Sequence, residues 1–324
     1  MPNEQEKTSF KTTIGGQALI EGIMMLGPEK KAIVIRRPDG GLEETVEDRV
    51  LIKDKYPLLG LPCLRGVFNF GSSLANGMRA LMYSAEFYPE DDEPEPPSKF
   101  ELWLEEHLGS EKMASIFLTV VMVLAVAFSV GLFILLPTAA VGGIGAFFPL
   151  PMWLRNLLEG VARIVIFMAY LILCSQMKDM RRVFSYHGAE HKTIFCYEKG
   201  LPLTVENVRK QPRHHPRCGT SFLFVVIVVS ILISSVVFSY IAVTNVWARM
   251  GLHLLMLPLV VAITYEINRY AGGHDNAVTR LMTAPGLWMQ NWTTFEPDDS
   301  MIEVGIRSLE LVRPAQQGKD DWNG

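Results

Sequence analysis

Four long apolar segments constrain this chain more than any other feature of its sequence. They cover residues 113–136, 157–177, 221–243 and 250–267, and the first contains no charged residue. Each is close to the roughly 20 residues that a helix needs to cross the hydrocarbon core of a bilayer. Buried helices of a large globular protein are the alternative, which a charge-free run of this length disfavours. The sequence therefore predicts a mainly α, polytopic membrane protein with four transmembrane helices in residues 113–267.

The regions before this domain differ from it in composition. Residues 1–13 are polar, and we expect a disordered tail there. Residues 14–55 contain a short β-branched run at 32–36 and then a Pro-Asp-Gly-Gly turn signal, so we expect a small β-rich cytosolic unit of two or three strands. In residues 56–87, arginines and asparagines interrupt the large apolar residues, which is typical of an interfacial or re-entrant helix.

Two further segments complete the organisation. Residues 88–112 form an acidic, proline-rich linker and juxtamembrane segment. Residues 268–324 form a C-terminal cytosolic segment, in which apolar residues at helical spacing after Pro297 predict a capped amphipathic helix. Within the second apolar segment, Glu159 and Arg163 stand one helical turn apart and can neutralise each other near one membrane face.

The distribution of lysine and arginine predicts the side of the membrane on which each loop lies. Residues 178–218 carry nine Lys and Arg residues, whereas residues 138–156 carry only Arg155. Positively charged loops stay in the cytosol, so we expect the central loop and both termini there. The net charge of −4 provides no basic field for nucleic acid, and four cysteines without a C-x-x-C pair indicate reduced thiols.

The strongest chemical signal lies in the central loop, where His187, Glu190 and His191 form an H-x-x-E-H pattern. On a helix the two histidines lie one turn apart on the same face. Two neutral imidazoles in this arrangement can bind one metal ion, and a neighbouring carboxylate can bind it too or take a proton from its water. The inverzincin metallopeptidases carry the same order of residues. We predict His187 and His191 as metal ligands, with Glu190 either a general base or a further ligand.

Other ligand-type residues are predicted at the same membrane face. His215 and Cys218 lie directly before the third apolar segment, and Glu266 lies at the end of the fourth. Imidazole and thiolate together suit a divalent metal, above all zinc, and three protein ligands leave a fourth position for water. These three residues are therefore candidates for completing the metal site. The alternatives are a surface histidine, a small apolar cysteine, and an acid paired with Arg269 on the next helical turn.

Three weaker candidates concern the substrate. Asn268 and Arg269 form a polar cluster just past the fourth segment, and Arg269 could bind a phosphate or carboxylate. A helix end followed by a turn explains this cluster equally well. Glu21 is a carboxylate in an apolar patch, and it is either an exposed turn residue or a group that reaches the metal region.

Four motifs together resemble one protein family. GGQALIEGIMM near the start, YHGAEHKTI in the central loop, HPRCGTSF before the third apolar segment and YEINRYAG at the end of the fourth are similar to the YqhQ family. That family consists of bacterial multi-pass membrane proteins of unknown function, often described as predicted metal-dependent enzymes. The resemblance covers nearly the whole chain and implies a location in the bacterial inner membrane. The metal site that it implies consists of His187, Glu190, His191, His215 and Cys218.

These features lead to three hypotheses about function. The first is a metal-dependent hydrolase with a cytosol-facing site, in which Glu190 takes a proton from water. The second is a non-catalytic scaffold, in which a closed, structural metal site holds the cytosolic face for protein partners. The third is a small transporter, which has least support because ionisable residues mark ion paths and the apolar segments contain few. The lipid bilayer is a partner in all three.

Overall fold

The computed structural model describes residues 10–49, 56–62, 64–88, 110–241, 243, 245–316 and 318–322. Within them, the chain begins with the strands β1 (Gly15–Leu19), β2 (Gly22–Leu26), β3 (Lys30–Arg36) and β4 (Leu42–Asp48). A 3-10 turn at Pro57–Gly60 then precedes the helices. These are α1 (Leu64–Ala85), α2 (Ser110–Val130), α3 (Leu136–Phe147), α4 (Met152–Gln176), α5 (Lys178–Glu198), α6 (Val205–Arg209), α7 (Gly219–Tyr240), α8 (Val246–Gly273), α9 (Ala277–Thr293) and α10 (Asp299–Val312). Most of the predicted tail, residues 1–9, and most of the acidic linker, residues 89–109, lie outside the described residues.

The strands form one antiparallel sheet in the order β1-β2-β3-β4, so the small β-rich unit has four strands. The predicted turn is present between β3 and β4, where Gly40 has a φ of 85°. Successive side chains of a strand point to opposite faces. Met25 and Val34 are buried on the face that packs against α5 and α10, and Ile35 packs with Ala80 of α1 on the other face. Helices therefore cover both sides of the sheet.

The segment just before β1 is held by hydrogen bonds. The Thr12 N–H donates to Glu198 Oε1 at 2.9 Å, and the Thr13 N–H donates to the Asp320 carbonyl at 2.6 Å. Backbone groups that find buried partners of this kind fix the local conformation. The prediction of a disordered tail is therefore wrong for residues 10–13.

The predicted central loop, residues 178–218, is largely helical. Helix α5 alone takes up 21 of its residues. Tyr186, Ala189 and Ile194 are buried in the apolar core that α5 shares with the sheet and α10. This apolar face was concealed in the sequence by the many charged residues between its members. The C-terminal amphipathic helix is present as predicted, and α10 begins after Asp298, whose side chain accepts from the Met301 N–H.

In the described part of the chain, four helical segments are long and apolar enough to cross a membrane. They are Thr119–Phe147, Met152–Gln176, Gly219–Tyr240 and Val246–Gly273. This confirms the predicted number by length and composition, and such helices are compatible with a lipid bilayer. The first continues from α2 through a π-helical turn into α3. Pro137 follows this turn, and its missing N–H removes one regular helical hydrogen bond.

The chain divides into two compact units. The first comprises residues 1–88, 169–233 and 256–324, and it contains the sheet, α1, α5 and α10. The second comprises residues 89–168 and 234–255. The candidate metal ligands from α5 and the residues before α7 all belong to the first unit.

The second unit contains a buried group of ionisable side chains. Glu159 Oε1 accepts a hydrogen bond from Arg249 Nε at 2.7 Å, and Glu159 Oε2 lies 3.4 Å from His253 Nε2. Arg163 Nη2 donates to the same His253 nitrogen at 2.8 Å. Glu159 therefore finds partners on α8, which its spacing from Arg163 did not indicate. Three of the few ionisable residues in the apolar segments, Glu159, Arg163 and His253, thus lie together in one buried group.

Candidate metal centre

Helix α5 directs its H-x-x-E-H residues into a cavity of about 240 Å³. The rings of His187 and His191 lie 4.3 Å apart between centroids, as expected one helical turn apart. Tyr186 and Ala189 are completely buried against the sheet, and they fix the rotation of α5 about its axis. The helix can therefore hold both imidazoles at the cavity without support from a loop.

The ring of His187 is oriented by a backbone carbonyl. Its Nδ1 lies 2.7 Å from the Thr293 oxygen, and because a carbonyl only accepts, Nδ1 carries a proton. Its Nε2 then faces Cys218 Sγ at 3.1 Å. Gly188 permits this arrangement, since a Cβ at that position would lie 2.0 Å from the Phe295 carbonyl oxygen. The close approach of residues 293–295 to α5 thus depends on a glycine.

His191 has the same arrangement on a different carbonyl. Its Nδ1 donates to the Arg213 oxygen at 2.5 Å, which leaves Nε2 as the nitrogen with a lone pair. That Nε2 is buried and has no hydrogen-bond partner. A buried polar atom without a partner is costly and calls for an explanation. A metal ion bound at Nε2 would supply the missing interaction, since metal-binding histidines typically donate their other ring N–H in this way.

Cys218 completes the group immediately before α7. Its Sγ accepts from the Thr220 N–H at 3.4 Å and lies beside the His187 ring. Burial raises the pKa of this thiol, but the neighbouring His187 and His191 lower it more, and the net pKa lies well below the ordinary value. Burial lowers the pKa of His187, while the Cys218 thiolate and Glu190 raise it to about 9. The two opposite pKa shifts favour a thiolate beside an imidazolium, and a bound cation would displace the imidazolium proton.

The geometry of these three residues fits a divalent metal. The ligand atoms of His187, His191 and Cys218 all lie within 4.8 Å of one another. Ligands around a tetrahedral zinc ion lie about 3.5 Å apart, so small side-chain adjustments would bring all three into its shell. Two imidazole nitrogens and one thiolate also form a donor set that zinc prefers. Among the described residues, His187, His191 and Cys218 form the group of three His, Cys, Asp or Glu residues whose ligand atoms lie this close together.

Glu190 lines the same cavity with one oxygen unused. Its Oε1 accepts from the Gly16 N–H at 3.0 Å, whereas Oε2 is buried and has no hydrogen-bond partner. Burial raises the pKa of this carboxyl, and the two histidines oppose the shift only in part. Gly16 lets β1 approach this closely, since a Cβ there would lie 2.6 Å from the Met24 carbonyl oxygen. The carboxylate is thus oriented by β1 and has one oxygen available at the cavity.

His215 is not among the converging ligands. Its Nδ1 accepts from the Arg217 N–H at 3.4 Å, and its Nε2 lies 3.6 Å from Glu198 Oε2. Gln290 fixes its backbone by accepting from the His215 N–H at 2.7 Å and donating to its carbonyl at 2.8 Å. Burial lowers the pKa of His215 to about 4, so the ring is neutral. It packs 5.6 Å from the His191 ring and supports that residue instead of replacing it.

Glu266 and Glu21 have other partners. Arg65 of α1 donates to Glu266 through Nε at 2.8 Å, so this acid neither joins the three ligands nor pairs with Arg269. Glu21 is buried in the β1–β2 turn with a φ of 51°, and it accepts from Arg182 and from the Tyr186 hydroxyl at 3.1 Å. It is therefore neither an exposed turn residue nor part of the metal cavity. Its contacts instead fix the start of α5 against the sheet.

The other two substrate candidates lie elsewhere. Arg269 is exposed and lines a second cavity, of about 690 Å³, whereas Asn268 is half-buried and lines neither cavity. Sequence reasoning missed the groups that orient the site, namely the carbonyls of Thr293 and Arg213 and the side chain of Gln290. A carbonyl has no sequence signal. The sequence signal that could have indicated close backbone contacts here is the pair of glycines Gly16 and Gly188, which lie within the GGQALIEGIMM and YHGAEHKTI motifs.

Comparisons with known proteins agree on one family. A family model described as a protein of unknown function (DUF1385) matches residues 61–315. The uncharacterized protein YqhQ of Bacillus subtilis (strain 168) is 34% identical over 304 residues, which cover 92% of this chain and 92% of that protein. No solved structure matches this chain.

Proposed function

Because this chain belongs to the DUF1385 family, as the four YqhQ-like motifs predicted, and because that family is described as of unknown function, we propose a function from the site itself. We propose a metal-dependent membrane hydrolase. His187, His191 and Cys218 bind a divalent cation, preferably zinc, and Glu190 acts as the general base. The bilayer holds the four apolar helices, and the Lys/Arg distribution supports a site and both termini on the cytosolic side of the bacterial inner membrane.

One observation carries the metal assignment. Both histidines donate Nδ1–H to a backbone carbonyl, and His191 consequently presents a buried, unpartnered Nε2 beside a low-pKa thiol. An unpartnered nitrogen is not specific by itself, since His215 Nε2 is also buried without a hydrogen bond. The distinction of His191 is that its ligand atom lies within 4.8 Å of those of His187 and Cys218. Zinc bound to three protein residues acidifies water to a pKa of about 7, which is the chemistry that hydrolysis at neutral pH needs.

Glu190 supports a catalytic rather than a purely structural site. Its Oε2 is free to accept a proton from water in the cavity, and its raised pKa brings it closer to neutral pH. The Gly16 N–H holds the other oxygen and so orients the carboxylate. Three converging ligands, instead of a closed set of four, also favour an open coordination position.

The test compares metal content and turnover in the purified, detergent-solubilised full-length chain. We expect stoichiometric zinc in the wild type and loss of it in His187→Ala/His191→Ala. His274→Ala serves as the matched control, because His274 is an exposed histidine bonded to the Tyr270 carbonyl, outside the converging group. Hydrolysis of bis(p-nitrophenyl) phosphate and p-nitrophenyl butyrate then reports turnover with generic phosphoester and carboxylic ester probes.

Glu190→Gln separates the two roles of that residue. We expect this variant to keep its zinc and to lose turnover by at least about a hundredfold, as for removal of a general base. Loss of zinc in Glu190→Gln, to the degree seen in His187→Ala/His191→Ala, would instead make Glu190 a fourth ligand and favour the structural scaffold. Equal and negligible zinc in the wild type and the double variant would remove the metal proposal.

A further inference from the structure

A second, larger cavity adjoins the candidate metal centre, and we call it the α1 cavity. Its volume of about 690 Å³ lies within the usual range of small-molecule sites. Residues of the sheet, α1 and α8 line it, all of them in the first compact unit. Leu26 and Arg49 line both the α1 cavity and the metal cavity. A ligand in the α1 cavity therefore reaches the wall of the metal centre.

Helix α1 turns a polar stripe toward this cavity. The stripe occurs at the spacing i, i+4, i+7 and i+11, which places its members on one helix face. It consists of Arg65, Asn69, Ser72 and Asn76. Elsewhere on α1, apolar side chains are exposed, including Leu64, Phe68 and Leu74. The arrangement combines hydrogen-bonding groups inside the cavity with an apolar outer surface that suits acyl chains.

Most charges around the α1 cavity are neutralised by a partner. Lys31 Nζ lies 2.9 Å from Glu47 Oε2, and Arg65 forms its ion pair with Glu266. Apart from these pairs, the charged residues that line the cavity in the described part of the chain are Arg49, Arg269 and Asp48. The cavity therefore keeps an excess of positive charge, which favours an anionic ligand.

Arg49 is the arginine between the two cavities. Its guanidinium donates to the Gly27 carbonyl at 2.8 Å through Nη1, which leaves its other N–H groups available. In the described residues it has no carboxylate within ion-pair distance, although it is half-buried. A partly buried guanidinium without a counter-ion is suited to bidentate contact with phosphate oxygens.

We propose that the α1 cavity binds a phosphate group of the substrate, with Arg49 and Arg269 as its cationic contacts. Arg49 then holds that group at the boundary with the metal centre. That this group belongs to the substrate rests on the proposed hydrolase function, whereas the phosphate site itself does not. A phospholipid headgroup and a soluble phosphate ester share this chemistry, and both are probed below.

Binding to the full-length chain in detergent tests the site. Glycerol phosphate is the soluble probe, and mixed micelles containing phosphatidic acid are the lipid probe, with diacylglycerol as the lipid that lacks phosphate. We expect Arg269→Ala to weaken binding about tenfold, as for loss of one charge-assisted hydrogen bond. Arg49→Lys keeps the charge but not the planar fork, and it should weaken binding as well. Arg280→Ala is the control, because Arg280 is exposed and paired with Asp275 at 2.7 Å.

The outcomes separate this proposal from the hydrolase. Binding of either phosphate probe that falls in Arg269→Ala and Arg49→Lys but not in Arg280→Ala supports the site, and the probe that binds identifies the source. No binding of either probe, or equal binding in all four proteins, overturns it whatever the zinc content. If the wild type contains no zinc, the hydrolase proposal is overturned. If phosphate binding then persists in His187→Ala/His191→Ala, the phosphate site is nevertheless supported.

Discussion

Two buried glutamates, Glu159 in the second compact unit and Glu190 in the first, have similar exposure and different neighbours. Their exposed fractions are 2% and 5%. Glu159 Oε1 accepts from Arg249 Nε at 2.7 Å and lies 3.4 Å from Arg155 Nε, so two guanidinium groups lie at this oxygen. Its Oε2 lies 3.4 Å from His253 Nε2, the nitrogen that accepts from Arg163. Glu190 has a single backbone donor, and its second oxygen has no hydrogen bond.

The difference indicates what each acid does. A buried carboxylate surrounded by cations compensates their charge, and removing it leaves those cations without a partner in a medium of low dielectric constant. A buried carboxylate with a free oxygen is not explained by charge compensation, and beside converging ligand atoms it is a candidate for proton transfer. The comparison therefore predicts a structural role for Glu159, and it is consistent with the general-base role that we propose for Glu190.

The largest effect is expected for Glu159→Ala. Arg249 is completely buried and would lose its carboxylate, so we expect a loss of about 3–5 kcal/mol in the free energy of unfolding. Unfolding of the detergent-solubilised protein, followed by circular dichroism in denaturant, measures it. Glu206→Ala is the control, because Glu206 is an exposed residue paired with Lys210, and it should leave stability nearly unchanged. Equal stability of the two variants would show that the cations around Glu159 do not depend on it.

Gly188→Ala should have the next largest effect. The added Cβ would lie 2.0 Å from the Phe295 oxygen, so the segment carrying Thr293 must move away from α5. We expect about 1–3 kcal/mol of destabilisation, as for overpacking, together with reduced zinc affinity because the His187 Nδ1–H loses its acceptor. Denaturant unfolding and zinc titration measure the two effects.

Gly71→Ala is the matched control for this substitution, since nothing lies within 4 Å of its new Cβ in the middle of α1. It should keep zinc binding unchanged and stabilise the helix slightly. Zinc affinity of Gly188→Ala equal to that of Gly71→Ala would break the link between the Thr293 carbonyl and the metal site.

Features that depend on local pattern were predictable from the sequence. A charge-free run predicts a membrane-compatible helix whatever surrounds it, and the β-branched run before the Pro-Asp-Gly-Gly turn predicted β3. Two histidines at i and i+4 meet on any helix, so His187 and His191 could be paired before α5 was known. Cys218 was found because its residue type suits the same metal and its position places it at the same end of the apolar helices.

Features that depend on tertiary approach could not be predicted in this way. Glu266 was a candidate metal ligand, with a pair to Arg269 on its own helix as the alternative, whereas its partner Arg65 comes from α1, far away in sequence. His215 and Cys218 lie three residues apart, and only the contacts of each ring nitrogen and of the sulfur distinguish support from ligand. The charges of Glu159 and Arg249 lie 90 positions apart, so no sequence spacing relates them.

Glu190→Gln should have the smallest effect on stability, and it therefore tests the comparison most sharply. The amide oxygen can still accept from the Gly16 N–H, and a neutral group costs less to bury than a carboxylate, so we expect a change of at most about 1 kcal/mol. The pH dependence has a definite sign in metal-free protein. Since burial raises the pKa of Glu190 in the folded chain, its protonated form is favoured there, and stability is lost as the pH rises from the ordinary value of about 4.3 through the raised one.

The variant lacks this titration, so its stability relative to the wild type should increase with pH over that interval. Denaturant unfolding of chelator-treated wild type and Glu190→Gln at a series of pH values measures the difference directly. A variant that instead loses several kcal/mol at every pH would place Glu190 with Glu159 among the structural acids. The unpartnered Oε2 would then not indicate a reactive group. Glu190 would instead stabilise the fold by electrostatic contacts other than hydrogen bonds.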